Sequence, residues 1–341
     1  MTIHLVSRQV GTAYPFVEFH HLLKKSGFSV KNYAYPSGAA PYQEAGIPFE
    51  VVNSFEDYIK LTTEVPSVLM TGTSLEAEDD YRYWSHAKTN RITSVGWLDQ
   101  PNSVAERFTA GRPDVILSND KNTMSQLRET GIVENTFSHG SPYLHALSKR
   151  IQRKVHPKTF FFATEPYFVD RTDYLSREET HYRLQYGFDD VDALLYATVL
   201  TEKFRRQTGE AWKILVKPHA VDNVSRFKEA FLKAGGNPAH LEFTTLDKES
   251  VLAAAPVVIG MRSMFLFEAA SLGIPTISLQ PGQKIAWPFM DSHSGILSLN
   301  GGETDFGRFT QLLTNLSDRP MQTDFEENAV IQLFSNLGAK K

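Results

Sequence analysis

Short apolar runs alternate with segments in which apolar residues recur at helical spacing along most of the chain. Apolar runs flanked by turn residues predict buried strands, and the helical spacing predicts amphipathic helices between them. The predicted strands cover residues 3–7, 65–70, 92–98, 114–117, 135–138, 159–164, 212–216 and 241–245. The predicted helices cover residues 16–26, 75–88, 192–207, 225–235 and 323–335, and another ends near residue 129.

This alternation of strand and helix predicts parallel pairing. A helix of that length can carry the chain back across a sheet, so that the next strand runs in the same direction as the last. Such crossovers are right-handed and place helices on both faces of the sheet. We therefore expect an α/β fold built on parallel, Rossmann-like sheets.

Residues 257–279 form the most informative segment of the chain. They predict a buried strand, a tight turn at Gly260, a helix beginning near Ser263, a stop at Gly273 and a second buried strand. The turn directs the helix N-terminus and its N–H groups toward the carboxyl end of a parallel sheet, which suits an anion such as a nucleotide phosphate. Glu268 follows less than two turns later, where its carboxylate can accept hydrogen bonds from ribose hydroxyls.

Composition narrows the class of protein. The 341 residues exceed what one core usually holds, which predicts two domains. A hydrophobic share of 41% and a net charge of −4 fit a globular protein without a field that favours nucleic acid or an acidic membrane. The lack of cysteine excludes disulfides, thiolate metal sites and a cysteine nucleophile. We find neither a signal peptide nor a membrane-spanning run, and we expect a cytoplasmic protein.

Further short motifs stand near the ends of predicted strands: residues 217–219 (Lys-Pro-His), residues 140–142 (Gly-Ser-Pro), and residues 72–74 with 107–108 further on. Together with the 257–279 segment they resemble, in order and spacing, GT-B glycosyltransferases of the bacterial surface-polysaccharide type and their relative UDP-GlcNAc 2-epimerase. Those families carry a Ser or Gly turn, a Glu in the following helix, a Leu-Gly-x-Pro exit and a Lys-Pro-His-Pro signature. Position 220 is Ala here, so the second proline of that signature is absent.

The resemblance implies two Rossmann-like parallel-sheet domains that face a cleft, with a C-terminal helix that crosses back to the first domain. Residues 1–150 are then the acceptor domain, residues 151–322 the nucleotide-sugar domain, and residues 323–341 the returning helix. The basic stretch 149–154 marks the expected break between the domains. The implied activity is transfer of a sugar from a CMP- or UDP-linked donor, with CMP slightly favoured, to a cell-surface glycan or lipid-linked acceptor.

Charge relief for a leaving phosphate is expected from the second domain. Lys217, His219, Arg262 and the helix start at Ser263 all follow predicted strands of that domain, so they are expected to converge on one crevice. We assign His219 to catalysis and the other three, with Glu268, to donor binding. His219 alone also fits a capping or core histidine, and Arg262 a salt-bridge partner. Many GT-B enzymes use such groups in place of a metal, and we expect neither a metal nor a cofactor.

The base of an inverting transfer is expected at a loop of the first domain. Asp99 and Glu76 are the leading catalytic candidates, and Glu78 and Glu165 also follow predicted strands. Asp99 alternatively caps the next helix. The acidic run 78–80 suggests a metal site, but the dipole at a helix start explains such a run better.

The loop after the first strand completes the candidate site. Arg8 and Gly11 in this loop are expected to face the donor phosphates, with an ordinary turn as the alternative. Only one glycine follows the strand, which disfavours a Rossmann dehydrogenase.

Other functions are alternatives to sugar transfer, the first of them a UDP-GlcNAc 2-epimerase. An epimerase needs several acids and bases around the sugar ring, and its usual Asp-Ser-Gly-Gly turn is replaced here by residues 260–263. A polyol-phosphate transferase of the teichoic-acid type and a non-catalytic nucleotide-sugar-binding protein are further alternatives. The basic clusters are short and lack interleaved aromatic residues, so we expect no nucleic-acid partner. Peripheral membrane association stays open.

Overall fold

The computed structural model describes residues 1–73, 77–99, 104–165, 181–219, 222–286, 295–316 and 325–339. The chain folds into two compact units, Met1–Leu147 with Thr323–Lys341, and Ser148–Gln322. Each unit holds one sheet of parallel strands with helices between them, which confirms the predicted α/β class. Within the described residues, no helix combines the length and apolar character that crossing a membrane requires.

The described strands are β1 (Thr2–Ser7), β2 (Ser29–Ala34), β3 (Glu50–Val51), β4 (Val68–Gly72), β5 (Thr93–Leu98), β6 (Val115–Ser118), β7 (Thr136–Ser138), β8 (Thr159–Ala163), β9 (Lys213–Lys217), β10 (Leu241–Phe243), β11 (Val257–Gly260), β12 (Thr276–Leu279) and β13 (Ile296–Leu299). The described helices are α1 (Val10–Lys25), α2 (Ala40–Glu44), α3 (Phe55–Leu61), α4 (Ala77–Thr89), α5 (Lys121–Glu129), α6 (Pro142–Arg150), α7 (His181–Tyr186), α8 (Asp190–Thr208), α9 (Val224–Lys233), α10 (Lys248–Ala254), α11 (Met264–Ser271), α12 (Asp305–Thr314) and α13 (Glu327–Ala339).

The first unit is built on a seven-stranded sheet in the order β3-β2-β1-β4-β5-β6-β7. The chain runs outward from β1 to β3, then returns to the other side of β1 and runs outward from β4 to β7. This reversal creates a topological switch point between β1 and β4, the kind of place where open α/β sheets bind ligands. Ile3 and Leu5 of β1 pack in one core with Phe16 of α1, so the central strand is fixed by burial.

The C-terminal helix α13 packs on the first unit. Its Phe334 is fully buried, and the ring centroid lies 6.4 Å from that of Phe19 in α1. Phe19 in turn makes an edge contact with Trp97 of β5 at 5.2 Å. The last helix therefore contributes to the same core as the central strands of the first sheet.

The second unit repeats the strand order of the first. Its six-stranded sheet runs β10-β9-β8-β11-β12-β13, so its switch point lies between β8 and β11. Phe160, Phe161 and Phe162 of β8 are all fully buried, as expected for a central parallel strand covered on both faces. Phe160 also stacks on Trp212 at 4.5 Å.

Gly260 allows the ends of the two switch-point strands to lie close together. A Cβ atom at this position would lie 3.1 Å from the carbonyl oxygen of Ala163 and 3.3 Å from the side chain of Leu266. A larger residue would have to push β8 and α11 apart, since cores tolerate added volume poorly.

The structure differs from the sequence prediction at the start of the first unit. Helix α1 begins at Val10, so Gly11, which the sequence places in a loop, is the second residue of the helix. Pro15 lies inside α1 and explains the late predicted start; it removes only the hydrogen bond to the carbonyl group four residues earlier, and the helix continues. The prediction of a loop at Gly11 is therefore wrong.

The prediction also omits several elements. Strand β2 is missing because Lys31 and Asn32 interrupt its apolar run, although the Asn32 amide is buried and donates to the Pro48 carbonyl oxygen at 2.9 Å. Short helices depend on tertiary packing more than on local propensity, so sequence patterns indicate them poorly. The other omitted elements are β3, β13, α2, α3, α6, α7, α10 and α12.

Phe334→Ala should destabilise the first unit by about 3–5 kcal/mol, because a buried ring is lost and a cavity remains. Amide hydrogen exchange in β1 should accelerate, while exchange in β11 of the second unit stays near wild type. Asn336→Ala, at an exposed position on the same helix, is the control and should change neither strand. Equal acceleration in both strands would contradict the assignment of α13 to the first unit.

Candidate functional site

The second-unit candidates follow three neighbouring strands of one sheet. β8 pairs in parallel with β9 on one side and with β11 on the other. Lys217 ends β9, Glu165 follows β8 by two residues, and Arg262 and Ser263 follow β11. These residues therefore stand at the carboxyl edge of the second sheet, around its switch point.

The side chain of Glu165 is hydrogen-bonded to the turn between β11 and α11. Its Oε1 atom accepts hydrogen bonds from the main-chain N–H of Ser263 at 2.7 Å and from that of Arg262. The sequence predicts that the N–H groups of this turn face an external anion. The structure gives two of them to an internal carboxylate instead, which corrects that expectation.

Glu165 is bonded through its main chain to a second buried acid, Asp190. Its own N–H donates to Oδ1 of Asp190, the first residue of α8, at 2.9 Å. Burial raises the pKa of Glu165 to about 7, although its main-chain donors and the charge of Arg262 favour the ionised form. Burial also raises the pKa of Asp190, and the charge of Glu165 adds to that rise. Burial thus favours the neutral form of both acids.

Arg262 is held inside the second unit. Its side chain is 4% exposed, and its guanidinium carbon lies 4.1 Å from the ring centroid of Tyr186 and 5.3 Å from that of Phe188. Its Nε atom donates to Oε1 of Gln280 at 3.3 Å. Stacking on two aromatic faces stabilises the cation and fixes its direction.

Glu268 forms an ion pair that the sequence does not suggest. Nζ of Lys248, the first residue of α10, lies 3.1 Å from Oε1 of Glu268. The second oxygen, Oε2, is buried and has no hydrogen-bond partner among the described residues. Burial lowers the pKa of nearby Lys217; the charge of Asp247 opposes this shift and that of Lys248 adds to it.

His219 lies in an exposed loop after β9. Its main-chain N–H donates to Oγ1 of Thr164 at 2.7 Å and to Oδ2 of Asp222 at 2.8 Å. Thr164 follows β8, so these bonds tie the Lys-Pro-His loop to the strand beside it. The loop is thereby fixed next to the turn that Glu165 holds.

The first-unit candidates gather at the start of α1. A Cβ atom on Gly11 would lie 3.2 Å from Oδ2 of Asp99, so the Asp99 carboxylate stands against the first turn of α1. Nη1 of Arg107 lies 3.7 Å from Oδ1 of Asp99, and both side chains are buried. Arg107 also donates to the carbonyl oxygen of Thr73, at the end of β4. The Arg8 guanidinium carbon lies 5.3 Å from the ring centroid of Tyr35.

The structure thus gathers the predicted residues into two sets, one in each unit. The first set is Arg8, Gly11 and Asp99; the second is Lys217, His219, Arg262, Ser263 and Glu268. Glu76, the other candidate base, lies outside the described residues, as do the side chains of Glu78 and Asp79 from the acidic run. Within the part of the chain that is described, no three acidic or histidine side chains converge where they could hold a metal ion.

Sequence reasoning misses Lys248 and gives Glu165 only as a further candidate base. Lys248 opens a short helix after β10 and belongs to no motif, so only the tertiary contact with Glu268 indicates it. Glu165 is recognisable as an acid after a strand, but its bonds to the turn of β11 depend on the order of strands in the sheet. The local pattern of apolar and polar residues does not predict the order of strands in a sheet.

Comparison with known proteins identifies the fold. No protein-family model and no curated protein matches the sequence. UDP-GlcNAc 2-epimerase from Neisseria meningitidis, in a structure bound to UDP-GlcNAc, is 10% identical with a TM-score of 0.66, over 98% of this chain and 100% of that one. UDP-GlcNAc 2-epimerase from Methanocaldococcus jannaschii is 11% identical with a TM-score of 0.65, over 98% and 100%. The kitacinnamycin glycotransferase is 12% identical with a TM-score of 0.59, over 98% of both chains.

These likenesses extend over almost the whole chain. At such low identity they show a shared fold, and they include both protein classes that the sequence motifs resemble. The predicted resemblance is therefore confirmed at the level of fold: the chain has a GT-B-like fold of two parallel, Rossmann-like sheets.

Proposed function

We propose that this protein is a glycosyltransferase that moves a sugar from a CMP- or UDP-linked donor to a cell-surface glycan or related acceptor without a metal ion. The second unit holds the nucleotide sugar, and the first unit supplies the acceptor site and the base. We place the reaction in the cytoplasm, where nucleotide sugars are consumed by the building of polysaccharides.

The main support for this proposal is a pair of buried polar atoms near the switch point of the second sheet. Oε2 of Glu268 and Oγ of Ser263 are buried and have no hydrogen-bond partner among the described residues. Buried polar atoms are nearly always paired, so such atoms suggest that a ligand completes the site. A ribose hydroxyl that donates to Glu268 and a phosphate oxygen that accepts from Ser263 satisfy both.

The charges nearby fit the rest of a nucleotide sugar. Lys248 pairs with Glu268, and Lys217 lies close enough to Lys248 for the two charges to interact. Arg262 follows β11 and adds a third cation, stacked on Tyr186. Cleavage of the bond between sugar and phosphate leaves negative charge on the phosphate, which fixed cations stabilise most when they need not move.

The base is assigned to the first unit. The Asp99 carboxylate lies between the start of α1 and the buried Arg107, an arrangement that fixes its direction. An acceptor hydroxyl that reaches Asp99 can pass its proton to the carboxylate as it attacks the sugar carbon. Glu76 is the alternative base.

A 2-epimerase is the second candidate, favoured by the solved epimerase structures of the same fold. The two reactions differ in whether an acceptor is needed. An epimerase changes the configuration at C2 of the sugar in UDP-GlcNAc alone, whereas a transferase leaves the free nucleotide and requires an acceptor. Analysis of the products from UDP-GlcNAc without any acceptor therefore separates the two activities.

Glu268→Ala should weaken nucleotide-sugar binding by about 1–3 kcal/mol, or roughly 5- to 150-fold in Kd, because buried ligand hydroxyls lose their acceptor. Calorimetry with the CMP- or UDP-sugar that raises the melting temperature most provides the measurement. Glu229→Ala, at an exposed position on α9, is the control and should bind as wild type does. Unchanged affinity in folded Glu268→Ala would remove Glu268 from the site.

Asp99→Asn keeps the side-chain shape but removes the proton acceptor. If Asp99 is the base, kcat falls by about 10²–10⁴-fold while donor affinity stays near wild type. Glu76→Gln is measured in parallel and should show that fall in kcat if Glu76 is the base. Glu106→Gln, at an exposed position near Arg107, should keep full activity. Full activity in both Asp99→Asn and Glu76→Gln would contradict a base at either position.

A further inference from the structure

We propose that Glu165 is a proton-linked positioning residue of the phosphate site, which takes up a proton when the phosphate of a nucleotide sugar binds beside the N-terminus of α11. This inference rests on the proposed function and deepens it. It gives a role to a buried acid that belongs neither to the donor-binding set nor to the two leading candidate bases.

The β11–α11 turn holds two buried polar atoms that have no hydrogen-bond partner among the described residues. One oxygen of Glu165, Oε1, accepts from the main-chain N–H groups of Arg262 and Ser263. The other oxygen, Oε2, is buried and has no hydrogen-bond partner among the described residues. Oγ of Ser263, the N-cap residue of α11, is also buried without such a partner. The turn therefore presents a carboxylate oxygen and a hydroxyl that the described residues leave unused.

A phosphate bound at this turn adds a second negative charge beside Glu165. A phosphate that accepts from Ser263 Oγ lies at the N-terminus of α11, because Ser263 is the residue that caps it. The same turn already holds the negative charge of Glu165. Two anions in one buried site repel each other, and such pairs raise the pKa of the group that can be protonated. A proton on Oε2 removes the repulsion and turns that oxygen into a hydrogen-bond donor to the phosphate.

The surroundings of Glu165 place this event near neutral pH. Burial raises the pKa of Glu165 to about 7 before any ligand is present. The charge of Arg262 favours the ionised form, whereas Asp190, which accepts from the Glu165 N–H, adds a second buried acid. Asp189 and Asp222 act on Asp190 through their charges. The proton comes from solvent, and no covalent bond other than that O–H bond changes.

Binding of UDP-GlcNAc and of CMP-sialic acid to the full chain tests the proposal, because the phosphate diesters in both probes stay fully ionised near neutral pH. Calorimetry between about pH 6 and pH 9 in buffers of different ionisation enthalpy gives both the affinity and the number of protons taken up. For the wild type, the affinity of the probe that binds should fall as pH rises above about 7. The fall approaches tenfold per pH unit where one whole proton is taken up.

Two variants separate the contribution of Glu165 from that of His219. Glu165→Gln keeps an acceptor for the two N–H groups of the turn, and its affinity should be nearly independent of pH. His219→Asn should bind more weakly and yet keep the wild-type pH slope. A residue with a merely structural role would change the affinity in Glu165→Gln but not the slope.

Each contrary outcome is distinct. A wild-type slope retained in Glu165→Gln, or lost in His219→Asn, overturns the proposal. If Glu165→Gln does not fold, proton uptake by the wild type decides alone, and binding without proton uptake overturns the proposal while the proposed function stands. Failure of every CMP- and UDP-sugar to bind the wild type overturns the proposed function, and this inference with it.

Discussion

The hydrogen bonds from the β11–α11 turn to the buried carboxylate of Glu165 fix the geometry of the second unit at its switch point. They join the end of β8 to the start of α11. The strands β8 and β11 are the pair at which the order of strand addition in the sheet changes sides. Arg262 leaves this turn toward its aromatic partners, and α11 carries Glu268 toward Lys248. The positions of Arg262, Ser263 and Glu268, in this turn and in the helix after it, thus depend on one carboxylate. Ionised acids are costly to bury, and main-chain donors at a helix start offset that cost.

The first unit uses an acid in a related way. Its sheet has the same order over the first six strands, and the Asp99 carboxylate lies against the first turn of α1, the helix that follows β1. Here the partner is a buried cation, Arg107, which also holds the end of β4 through the Thr73 carbonyl oxygen. Breaking one member of a buried ion pair leaves the other charge uncompensated. Asp99 is therefore held more rigidly than a surface acid.

Sequence patterns were sufficient for the class of fold but not for the contacts within the site. The segment 257–279 predicts a strand, a turn and a helix, and the structure shows β11, α11 and β12 there, because burial of each element is visible as a continuous apolar run. The same segment gives no indication that Glu165, far away in the chain, fills the turn. Strand order decides that contact, and local periodicity does not encode strand order.

Two further differences have separate physical causes. The start of α1 is obscured by Pro15, which lies inside the helix, where proline is usually disfavoured. The pairing of Lys248 with Glu268 is a contact between two helices that no motif connects. Short polar helix starts and long-range ion pairs depend on packing, so a single sequence carries little information about them.

Amide hydrogen exchange of the full chain, with and without the CMP- or UDP-sugar that it binds best, tests whether the second unit holds the nucleotide. The account predicts that the ligand slows exchange at residues 261–268 and 217–219 of the second unit, where the turn and the Lys-Pro-His loop surround the donor. Protection confined to the first unit would contradict the assignment of the nucleotide site to the second sheet.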